Sequence, residues 1–524
     1  MTKPRKLTAI LLSALMLFAM MSSIAAEEKQ TIRINMQAGQ GVEAAWKAVK
    51  EGYEALHPNV EVLIDLKPSD GYADWVKAQF ASDETEADLI AINLVGPAIE
   101  ASKGLNLFEY AYDISPYTEL EWHEQINFPM QTRNMALGTW TSLSLQSVQV
   151  LWCYNSDIFN EVGVTPPKTW AEFLDVCEKI EAAGYQALAV AGDFDSFWAG
   201  QMGWLFQNYV DQTTRDQIQL IRAQEGDYCW DDEIDPYFVY DLNDPWMDDA
   251  TKVNQNPLRY WKAFRDGEIR ADSAGIKKVT ENLSLMFPKY AGGDAFYGTD
   301  GGGALTMFMQ GKAAILLDGG WRLTSFKRDM DDLKAGKEIM SNNEVIADAK
   351  IFEMGTFNMP SMEGEEFLAP ARTIEVAVGF IGAAKKDKAH DDLIVDFLMY
   401  YTSPDGYGRY LAAGIADGMS INGPALVHGV QLPDEIATLF DGLSFIGNAQ
   451  KGFGQALARG IADNQEALRA WYGYTMDYMN GKISIDTWGE MHQENQMAHF
   501  DDALIAARAN PQDLDNPQNA PTGQ

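Results

Sequence analysis

The sequence predicts an α/β fold made of two wound lobes, followed by a largely helical C-terminal part. Short β-rich runs alternate with amphipathic helices from Thr31 onward, and this rhythm is typical of a parallel, wound sheet. The rhythm starts again after Gly138, which indicates a second lobe. A chain of 524 residues also exceeds the ~100–200 residues of one typical domain.

The elements of the first lobe follow one another with clear boundaries. The strand pattern TIRINMQ leads into a helix that carries Trp46, Val49, Tyr53 and Leu56 on one face. The residues HPN stop this helix, and VEVLIDL begins a second strand. The run ADLIAINLVGP reads as a third, apolar strand.

The second lobe opens with the strand-like run TSLSLQSVQVLWCYN and a helix with a well-marked start. Thr169 can cap that helix, and Glu172 completes a capping box. Phe173, Val176 and Cys177 then fall on its buried stripe. The last third of the chain is mostly helical, and its polar, Pro-rich end is expected to be disordered.

The N-terminus has the three-part layout of a secretory signal peptide. A basic start, an apolar run and small residues precede a cleavage point after Ala25 or Ala26. No cysteine follows that could accept a lipid anchor, so we expect a soluble periplasmic or secreted protein. The formal net charge of −36 becomes more negative when this basic leader is removed. So acidic a surface excludes nucleic acid and anionic lipid as partners.

Metal and thiol chemistry find little support in the sequence. Cys153, Cys177 and Cys229 show no CxxC spacing and allow at most one disulfide. The acidic, aromatic segment 217–251 reads as an inserted surface element. Its spacing matches no EF-hand loop, although a structural calcium ion is an alternative there. We expect no cofactor.

Motifs of catalysis are also missing. The chain has no GxSxG, no HExxH, no phosphate-binding loop and no GxGxxG after a strand. Paired carboxylates are common in so acidic a chain and therefore say little about glycoside hydrolysis. We expect a protein that is not an enzyme.

Polar amides, a carboxylate and aromatic residues cluster where the predicted strands end. In wound α/β sheets, ligands bind beyond the carboxyl ends of the strands. Amides and carboxylates hydrogen-bond to hydroxyls, and flat aromatic faces stack on sugar rings. The candidate ligand-binding residues in these positions are Gln37, Gln40, Asn93, Gln149, Asp195, Phe197, Trp198 and Trp321.

Several segments resemble extracellular sugar-binding proteins of ABC importers, in the same order along the chain. The run LWCYNSDIFNEVGVTPPKTWAEFLDVCEKIEAAG is similar to the Tyr-Asn, short helix and Pro-x-Thr-Trp-x-Glu-Phe segment of that family. The run FMQGKAAILLDGGW is similar to its Phe-x-x-Gly-Lys run ending in Gly-x-Trp. The run TIEVAVGFIGAAKKDKAHDDLIVDFLMYYTSPDG resembles its return strand and the helix after it.

The resemblance implies a periplasmic binding protein-like fold, in which two lobes joined by a hinge close over a ligand. It implies lobe 1 at 30–146 plus 371–420 and lobe 2 at 147–370 plus 421–508. The composition of the two ends adds a signal peptide at 1–26 and a disordered tail at 509–524. In maltodextrin-binding relatives the Trp of the Gly-x-Trp motif stacks on a sugar, and this role carries over to Trp321. The run DSFW likewise implies that Asp195 accepts hydrogen bonds and that Phe197 and Trp198 are stacking platforms. A ligand-binding role is carried over by position at a strand end, without a match in residue identity, for Gln37, Gln40, Asn93 and Gln149.

The expected function is capture of a mono- or oligosaccharide and its delivery to the permease subunits of an ABC importer, by a monomer. Two alternatives remain open. A cationic or polyamine ligand would suit the acidic charge and would require carboxylates facing the site. A secreted glycoside hydrolase would require two carboxylates ~5–10 Å apart.

Overall fold

The computed structural model describes residues 29–523 except 69, 82–84, 96, 135–137, 343, 450–456 and 459–463. The predicted signal peptide lies outside the described residues. In the described part, no helix combines the length and the apolar character that crossing a membrane requires.

Strands and helices alternate along most of the chain, as predicted. In chain order the strands are β1 (Gln30–Ile34), β2 (Val60–Ile64), β3 (Leu89–Ala91), β4 (Arg133–Asn134), β5 (Thr139–Trp140), β6 (Ser142–Leu143), β7 (Gln146–Asn155), β8 (Gln186–Ala189), β9 (Ala313–Gly319), β10 (Met340–Ser341), β11 (Glu344–Val345), β12 (Met354–Phe357), β13 (Ile374–Val378) and β14 (Ile381–Ala383).

The α-helices are numbered in the same way. They are α1 (Val42–Leu56), α2 (Tyr72–Gln79), α3 (Pro97–Lys103), α4 (Ser156–Val162), α5 (Trp170–Ala182), α6 (Phe194–Ala199), α7 (Gln201–Thr214), α8 (Ile218–Ile221), α9 (Pro257–Arg265), α10 (Ala274–Met286), α11 (Gly301–Met309), α12 (Trp321–Lys334), α13 (Lys388–Tyr401), α14 (Pro404–Ala416), α15 (Asp434–Phe440), α16 (Gln465–Met479), α17 (Ile485–Ala498) and α18 (Phe500–Ala506).

The chain forms two compact units, and each is assembled from separate stretches of sequence. The first unit contains the residues up to Gln125 together with Phe380–Met419 and Gly429–Gln431, and the second contains the remainder. The first boundary therefore lies 21 residues before the predicted one at 146. Residues 126–145 belong to the second unit because they are bonded to its return segment: Asn127 N–H donates to the Leu426 carbonyl at 2.7 Å.

The sheet of the first unit has the order β2-β1-β3-β14. Strands β1, β2 and β3 run parallel, with Ile34 opposite both Ile64 and Leu89, and the return strand β14 is antiparallel to β3. Helix α1 packs against α14, where the ring centroids of Trp46 and Tyr410 are 5.1 Å apart. This unit confirms the wound arrangement, although Leu56 at the end of α1 is exposed.

The sheet of the second unit is mixed, whereas the sequence rhythm predicted a parallel one. Its order is β12-β7-β9-β8, and β13 also pairs with β7. Only β8 and β9 are parallel to each other, since β7 runs antiparallel to β9, β12 and β13. Every residue of β9 is buried because apolar clusters cover both of its faces. A strand covered on both faces is an unbroken apolar run rather than an alternating one.

Helix α7 passes through the interior of the second unit, and a buried charge network holds its C-terminal half. The Asp211 carboxylate accepts hydrogen bonds from Arg372 Nε at 2.9 Å and from Arg215 Nε at 3.2 Å. Arg372 also donates from Nη1 to Asp248 Oδ1 at 2.6 Å. Two guanidinium groups and two carboxylates thus neutralise one another away from water, which is the condition for burying charge.

The acidic segment is more deeply integrated than the predicted surface element. Asp227, Asp235 and Asp248 are all buried. Asp227 forms a two-point ion pair with Arg259, both contacts being 2.6 Å. Asp235 accepts the Asn254 N–H at 2.7 Å, and Asp248 belongs to the Arg372 network. Each buried carboxylate has its own donors within the fold.

The C-terminal tail is ordered, which corrects the predicted disorder of 509–524. Leu514 is fully buried, and the Pro517 carbonyl accepts the Asn256 side-chain N–H at 2.7 Å. The Gln518 carbonyl accepts the Tyr228 N–H at 2.8 Å. Because these partners lie next to the Asp227–Arg259 ion pair, the tail secures the acidic segment.

The three cysteines are free thiols, so none of them forms the disulfide that the sequence allowed. Cys177 lies on the buried stripe of α5 as predicted, and Cys153 is buried in β7. Burial raises the pKa of all three thiols, that of Cys229 to about 12. They act as packing groups at neutral pH.

The buried His492 in α17 should make stability depend on pH. Its Nε2 donates to the Leu457 carbonyl at 2.8 Å and its Nδ1 accepts the Tyr474 hydroxyl at 2.7 Å, so the imidazole is neutral. Burial lowers the pKa of His492 to about 4, whereas an unfolded histidine titrates near its usual value of about 6.5. The unfolded state therefore binds the extra proton between these values, and stability should fall as pH decreases from 6.5 towards 4. We expect His492→Gln to lose this component, which is at most about 1.4 kcal/mol per pH unit.

Urea unfolding of the wild type and His492→Gln at pH 7, 6 and 5 would measure this component. His499→Gln, at a half-buried histidine seven residues along the chain, is the control and should keep the wild-type slope. Equal slopes for the wild type and His492→Gln would contradict the assignment.

Replacement of Arg372 by Met should destabilise the second unit strongly. The change leaves the Asp211 and Asp248 carboxylates buried without their main partner, and breaking a buried ion pair in this way costs about 3–5 kcal/mol. Chemical denaturation measures the loss. Arg409→Met is the matched control, because the Arg409–Asp405 pair is exposed and should contribute less than about 1 kcal/mol. Equal losses in the two variants would show that the network is not what holds α7.

Candidate ligand-binding site

A pocket of about 630 Å³ lies at the carboxyl ends of β8 and β9 in the second unit. Its walls are the α6–α7 junction, the start of α11, the exit from β9 and the β10 strand with the residue after it. The polar and aromatic side chains of this lining are Asp195, Ser196, Gln201, Trp204, Asp318, Arg322, Ser341 and Asn342.

The Gly319–Gly320 exit from β9 allows the chain to turn directly into α12. A Cβ at Gly319 would lie 2.4 Å from the Trp321 ring, and a Cβ at Gly320 would lie 2.8 Å from the Asn422 carbonyl oxygen. Neither position has room for a side chain, since heavy atoms already occupy that space. The glycines therefore let the Trp321 indole fold back over the end of its own strand.

Asp318 and Arg322 form a well-ordered pair on the pocket wall. Asp318 Oδ2 accepts a hydrogen bond from Arg322 Nε at 2.7 Å, and its Oδ1 accepts the Gly319 N–H at 2.9 Å. Arg322 Nη1 donates to the Ser325 hydroxyl at 3.1 Å. Burial would lower the pKa of Arg322, but the adjacent Asp318 carboxylate raises it, so the guanidinium remains charged.

The first turn of α7 is fixed to the ends of both neighbouring strands. The Gln201 side chain accepts the Ala191 N–H and donates to the Leu317 carbonyl at 2.6 Å. Gly200 separates α6 from α7, and Asp193 caps α6 by accepting the Ser196 N–H. Gln201 is thereby a structural residue that sets where the next turn, with Trp204, meets the pocket.

Trp204 and Trp321 form an aromatic pair beside the pocket. Their ring centroids are 6.2 Å apart and the planes meet at 66°, an edge-to-face arrangement. Trp204 lines the pocket, and both residues are half-buried. Trp321 therefore supports Trp204 from the side, and the indole of Trp204 is the one that borders the cavity.

The predicted residues of the second unit have different environments. Asp195 is exposed and lines the pocket, and Trp198 is half-buried on the same short helix. Phe197 is fully buried with its ring centroid 5.2 Å from that of Trp471, so it offers no face to a ligand. This corrects the expected role of Phe197 as a stacking platform. Two positions along a helix rotate a side chain by about half a turn, so Phe197 is directed inward while Asp195 faces the pocket.

Gln149 lies in the interior rather than at a ligand surface. It is 1% exposed, and its side-chain N–H donates to Asn358 Oδ1 at 2.7 Å. Its main-chain carbonyl accepts the Gly320 N–H at 2.8 Å. Gln149 thus contributes to the turn after β9 through its backbone.

Gln37, Gln40 and Asn93 belong to the first unit. All three are exposed and follow β1 or β3, two adjacent parallel strands, so they share one edge of that sheet. Gln40 packs over Gly418, where a Cβ would lie 2.3 Å from the Gln40 Nε2. These amides therefore lie beyond the carboxyl ends of neighbouring strands, and their role in binding stays a prediction.

Sequence reasoning missed Trp204, Asp318, Arg322 and Asn342. Asp318 and Arg322 flank the Gly-Gly-Trp motif that was recognised, four residues apart, so a helix beginning at Trp321 would have brought them together. Trp204 follows Gly200 by one helical turn, which is a weaker signal. Asn342 enters from a distant hairpin, and no local pattern marks it.

The arrangement is suited to hydrogen bonding and stacking. It offers a guanidinium, an exposed carboxylate, an amide and an indole around one cavity. Among the described residues, no group of three or more His, Cys, Asp or Glu side chains is placed to hold a metal ion. Reversible binding of a polyhydroxylated molecule matches this chemistry.

Relatives by sequence are consistent with such a binding role. A probable sugar-binding periplasmic protein of Mesorhizobium japonicum is 23% identical over 279 residues, which cover 50% of this chain and 54% of that protein. The chain thus spans about half the length of this curated relative.

Solved structures share the fold over nearly their whole length. The cyclic α-maltosyl-1,6-maltose binding protein of Arthrobacter globiformis gives a TM-score of 0.56 at 13% identity, covering 90% of this chain and 99% of that one. The apo form of RafE from Streptococcus pneumoniae gives 0.55 at 15% identity, with coverages of 90% and 99%. These neighbours confirm the predicted fold class. Residues 38–407 match the model of the bacterial extracellular solute-binding protein family, and the chain belongs to that family.

Proposed function

We propose that this protein is the substrate-binding component of an ABC-type carbohydrate importer, which captures a mono- or oligosaccharide and delivers it to the membrane permease. The single observation that carries the proposal is the pocket at the ends of β8 and β9, bordered by Trp204, Arg322 and Asp195. Its volume of about 630 Å³ falls within the ~300–1,000 Å³ of small-molecule sites.

The chemistry of the pocket supports a sugar. A saccharide has hydroxyls that both donate and accept, and an apolar ring face that stacks on an indole. The carboxylate of Asp195 can accept from hydroxyls, Arg322 can donate to them, and Trp204 provides an aromatic surface. The half-buried Trp321 behind Trp204 limits the motion of that surface.

The relatives support the same class of ligand, since their names refer to sugars or oligosaccharides. Membership of an extracellular solute-binding family agrees with the predicted leader and with action outside the cytoplasm. The permease subunits, the periplasmic location and the absence of a cofactor are parts of this proposal.

The alternatives fit the pocket less well. A polyamine needs unpaired carboxylates, but both Asp318 oxygens are engaged by Arg322 and the Gly319 N–H, and Asp195 alone is left on the wall. A retaining or inverting glycosidase needs a carboxyl group that carries a proton at neutral pH. It also needs a second carboxyl group, but both Asp318 oxygens are engaged by Arg322 and the Gly319 N–H, which leaves Asp195 alone in the lining.

The Trp204→Ala variant should bind the sugar ligand about thirtyfold more weakly, which corresponds to about 2 kcal/mol for loss of a central aromatic contact. Trp321→Ala should weaken binding less, because that indole supports Trp204 instead of bordering the cavity. Isothermal titration calorimetry measures both effects. Trp230→Ala, a half-buried tryptophan in the acidic segment, is the matched control and should bind normally.

The melting temperatures of these variants separate binding from folding. A fall in the melting temperature of Trp321→Ala as large as that of a core variant would assign the indole to packing. Unchanged affinity in Trp204→Ala would overturn the stacking role.

A thermal-shift screen of the mature protein should identify the ligand class. A ligand that binds only the folded state raises the midpoint by mass action. We expect a rise with one family of sugars and none with spermidine or calcium. A rise with spermidine or calcium alone would replace the proposed function by the corresponding alternative.

A further inference from the structure

We propose that the pocket selects a sugar carrying a carboxylate, such as a uronic acid residue, and that Arg322 recognises this group. This inference rests on the proposed function and specifies its substrate class. It starts from the hydrogen-bond inventory of Arg322, whose side chain is only 11% exposed yet lines the pocket.

Arg322 retains free donor capacity on the pocket wall. Its Nε is bonded to Asp318 and its Nη1 to Ser325. The Nη2 group has no hydrogen-bond partner within the part of the chain that the structure describes. Asp318 in turn has both oxygens engaged, one by Arg322 and one by the Gly319 N–H. Asp318 is therefore a positioning residue that orients the guanidinium, while Nη2 remains for a ligand.

The backbone around Arg322 adds further donors. Three helices of nine residues or more begin on the pocket wall: α7 at Gln201, α11 at Gly301, and α12, which contains Arg322 in its first turn. No side chain caps α7 or α12. Helix starts have unpaired N–H groups and a partial positive charge, which favour an anion.

Small residues keep this wall accessible. Gly301 is exposed, and a Cβ placed there would have no heavy atom within 4 Å. The amide of Asn342 is directed to Asp300, to which it donates at 3.0 Å. The Asp300 carboxylate in turn caps α11 by accepting the Gly303 N–H at 2.7 Å, so the uncapped helix starts on this wall are those of α7 and α12.

The balance of donors and acceptors distinguishes a carboxylate from a hydroxyl. A carboxylate that accepts from Arg322 Nη2 makes a charge-assisted hydrogen bond between two ions, whereas a hydroxyl offers Nη2 only a neutral acceptor. Asp195, which lies on α6 and is exposed, is the lining carboxylate that has no partner of its own among the described residues. Asp195 can therefore accept from the hydroxyls of a sugar whose carboxylate is bound by Arg322.

The test compares matched ligands on the wild-type protein. Calorimetry is run with di- and trisaccharides of galacturonic, glucuronic and mannuronic acid, each beside its methyl ester and the corresponding neutral oligosaccharide. We expect one acid to bind about tenfold or more tightly than its ester, because an ester loses the charge-assisted hydrogen bond. An ester or neutral sugar that binds as tightly as the acid overturns this inference and leaves the proposed function standing. No binding by any saccharide overturns both.

Variants then assign the effect to Arg322. Arg322→Gln should weaken binding of both ligands and abolish the preference, because the acid loses at least about tenfold more affinity than the ester. The double variant Arg322→Gln, Asp318→Asn removes both charges of the pair. It replaces the single variant if the unpaired Asp318 carboxylate prevents that variant from folding. Arg328→Gln, in the same helix and outside the lining, is the control and should keep the wild-type preference. Equal weakening of acid and ester by Arg322→Gln, or a preference for galactose 6-sulfate over the acids, would contradict the assignment.

Discussion

The position of helix α7 in the second unit depends on the burial of Arg372 with two carboxylates. A guanidinium that is 2% exposed is stable only when its charge is balanced and its N–H groups are bonded. Asp211 on α7 and Asp248 in the acidic segment meet both needs. At the other end of the same helix, Gln201 is bonded to the ends of β8 and β9. Because α7 is anchored at both ends, Trp204 in its first turn has a fixed place at the pocket.

The opposite wall depends on a steric constraint. Only glycine fits at the last position of β9 and at the position after it, because a Cβ there would meet the Trp321 ring or the Asn422 carbonyl oxygen. The chain can then begin α12 at once, and the helix brings Arg322 within bonding distance of Asp318. The five consecutive residues from Asp318 to Arg322 therefore provide the end of β9, the indole that supports Trp204 and the charged pair. A short stretch with this many linked contacts is pre-organised, which lowers the entropy cost of binding.

The acidic composition has two separate consequences. Many carboxylates lie on the surface and set the net charge of −36. Others are buried and form ion pairs or hydrogen bonds inside the fold. Asp227 pairs with Arg259, and Asp88 in the first unit accepts hydrogen bonds from His390 at 2.7 Å and from Lys386. Burial would raise the pKa of Asp88, but these two donors lower it below its ordinary value. Composition alone cannot separate these classes, because the difference lies in which carboxylates meet a donor inside the fold.

The sequence by itself determined the elements whose causes are local. The Thr169–Glu172 capping box, the buried stripe of α5, the apolar β9 and the Gly-Gly-Trp exit were all read from residues within one or two turns of each other, and the structure contains each of them. The family resemblance rested on the same local runs. Asp195, which the sequence offered as a residue beyond a strand end, lines the pocket, and its role in binding stays a prediction.

Only the tertiary structure decided which of these side chains meet. Phe197 and Asp195 are two residues apart, yet one is in the core and the other lines the pocket. Asn342 and Trp204 reach the same cavity from segments far apart in the chain, and the tail, polar enough to suggest disorder, is held by Asn256 and Tyr228. Side-chain direction and long-range pairing depend on how elements pack, and packing free energy is shared among residues distant in sequence. A local pattern therefore fixes an element, while its neighbours decide which of its faces is used.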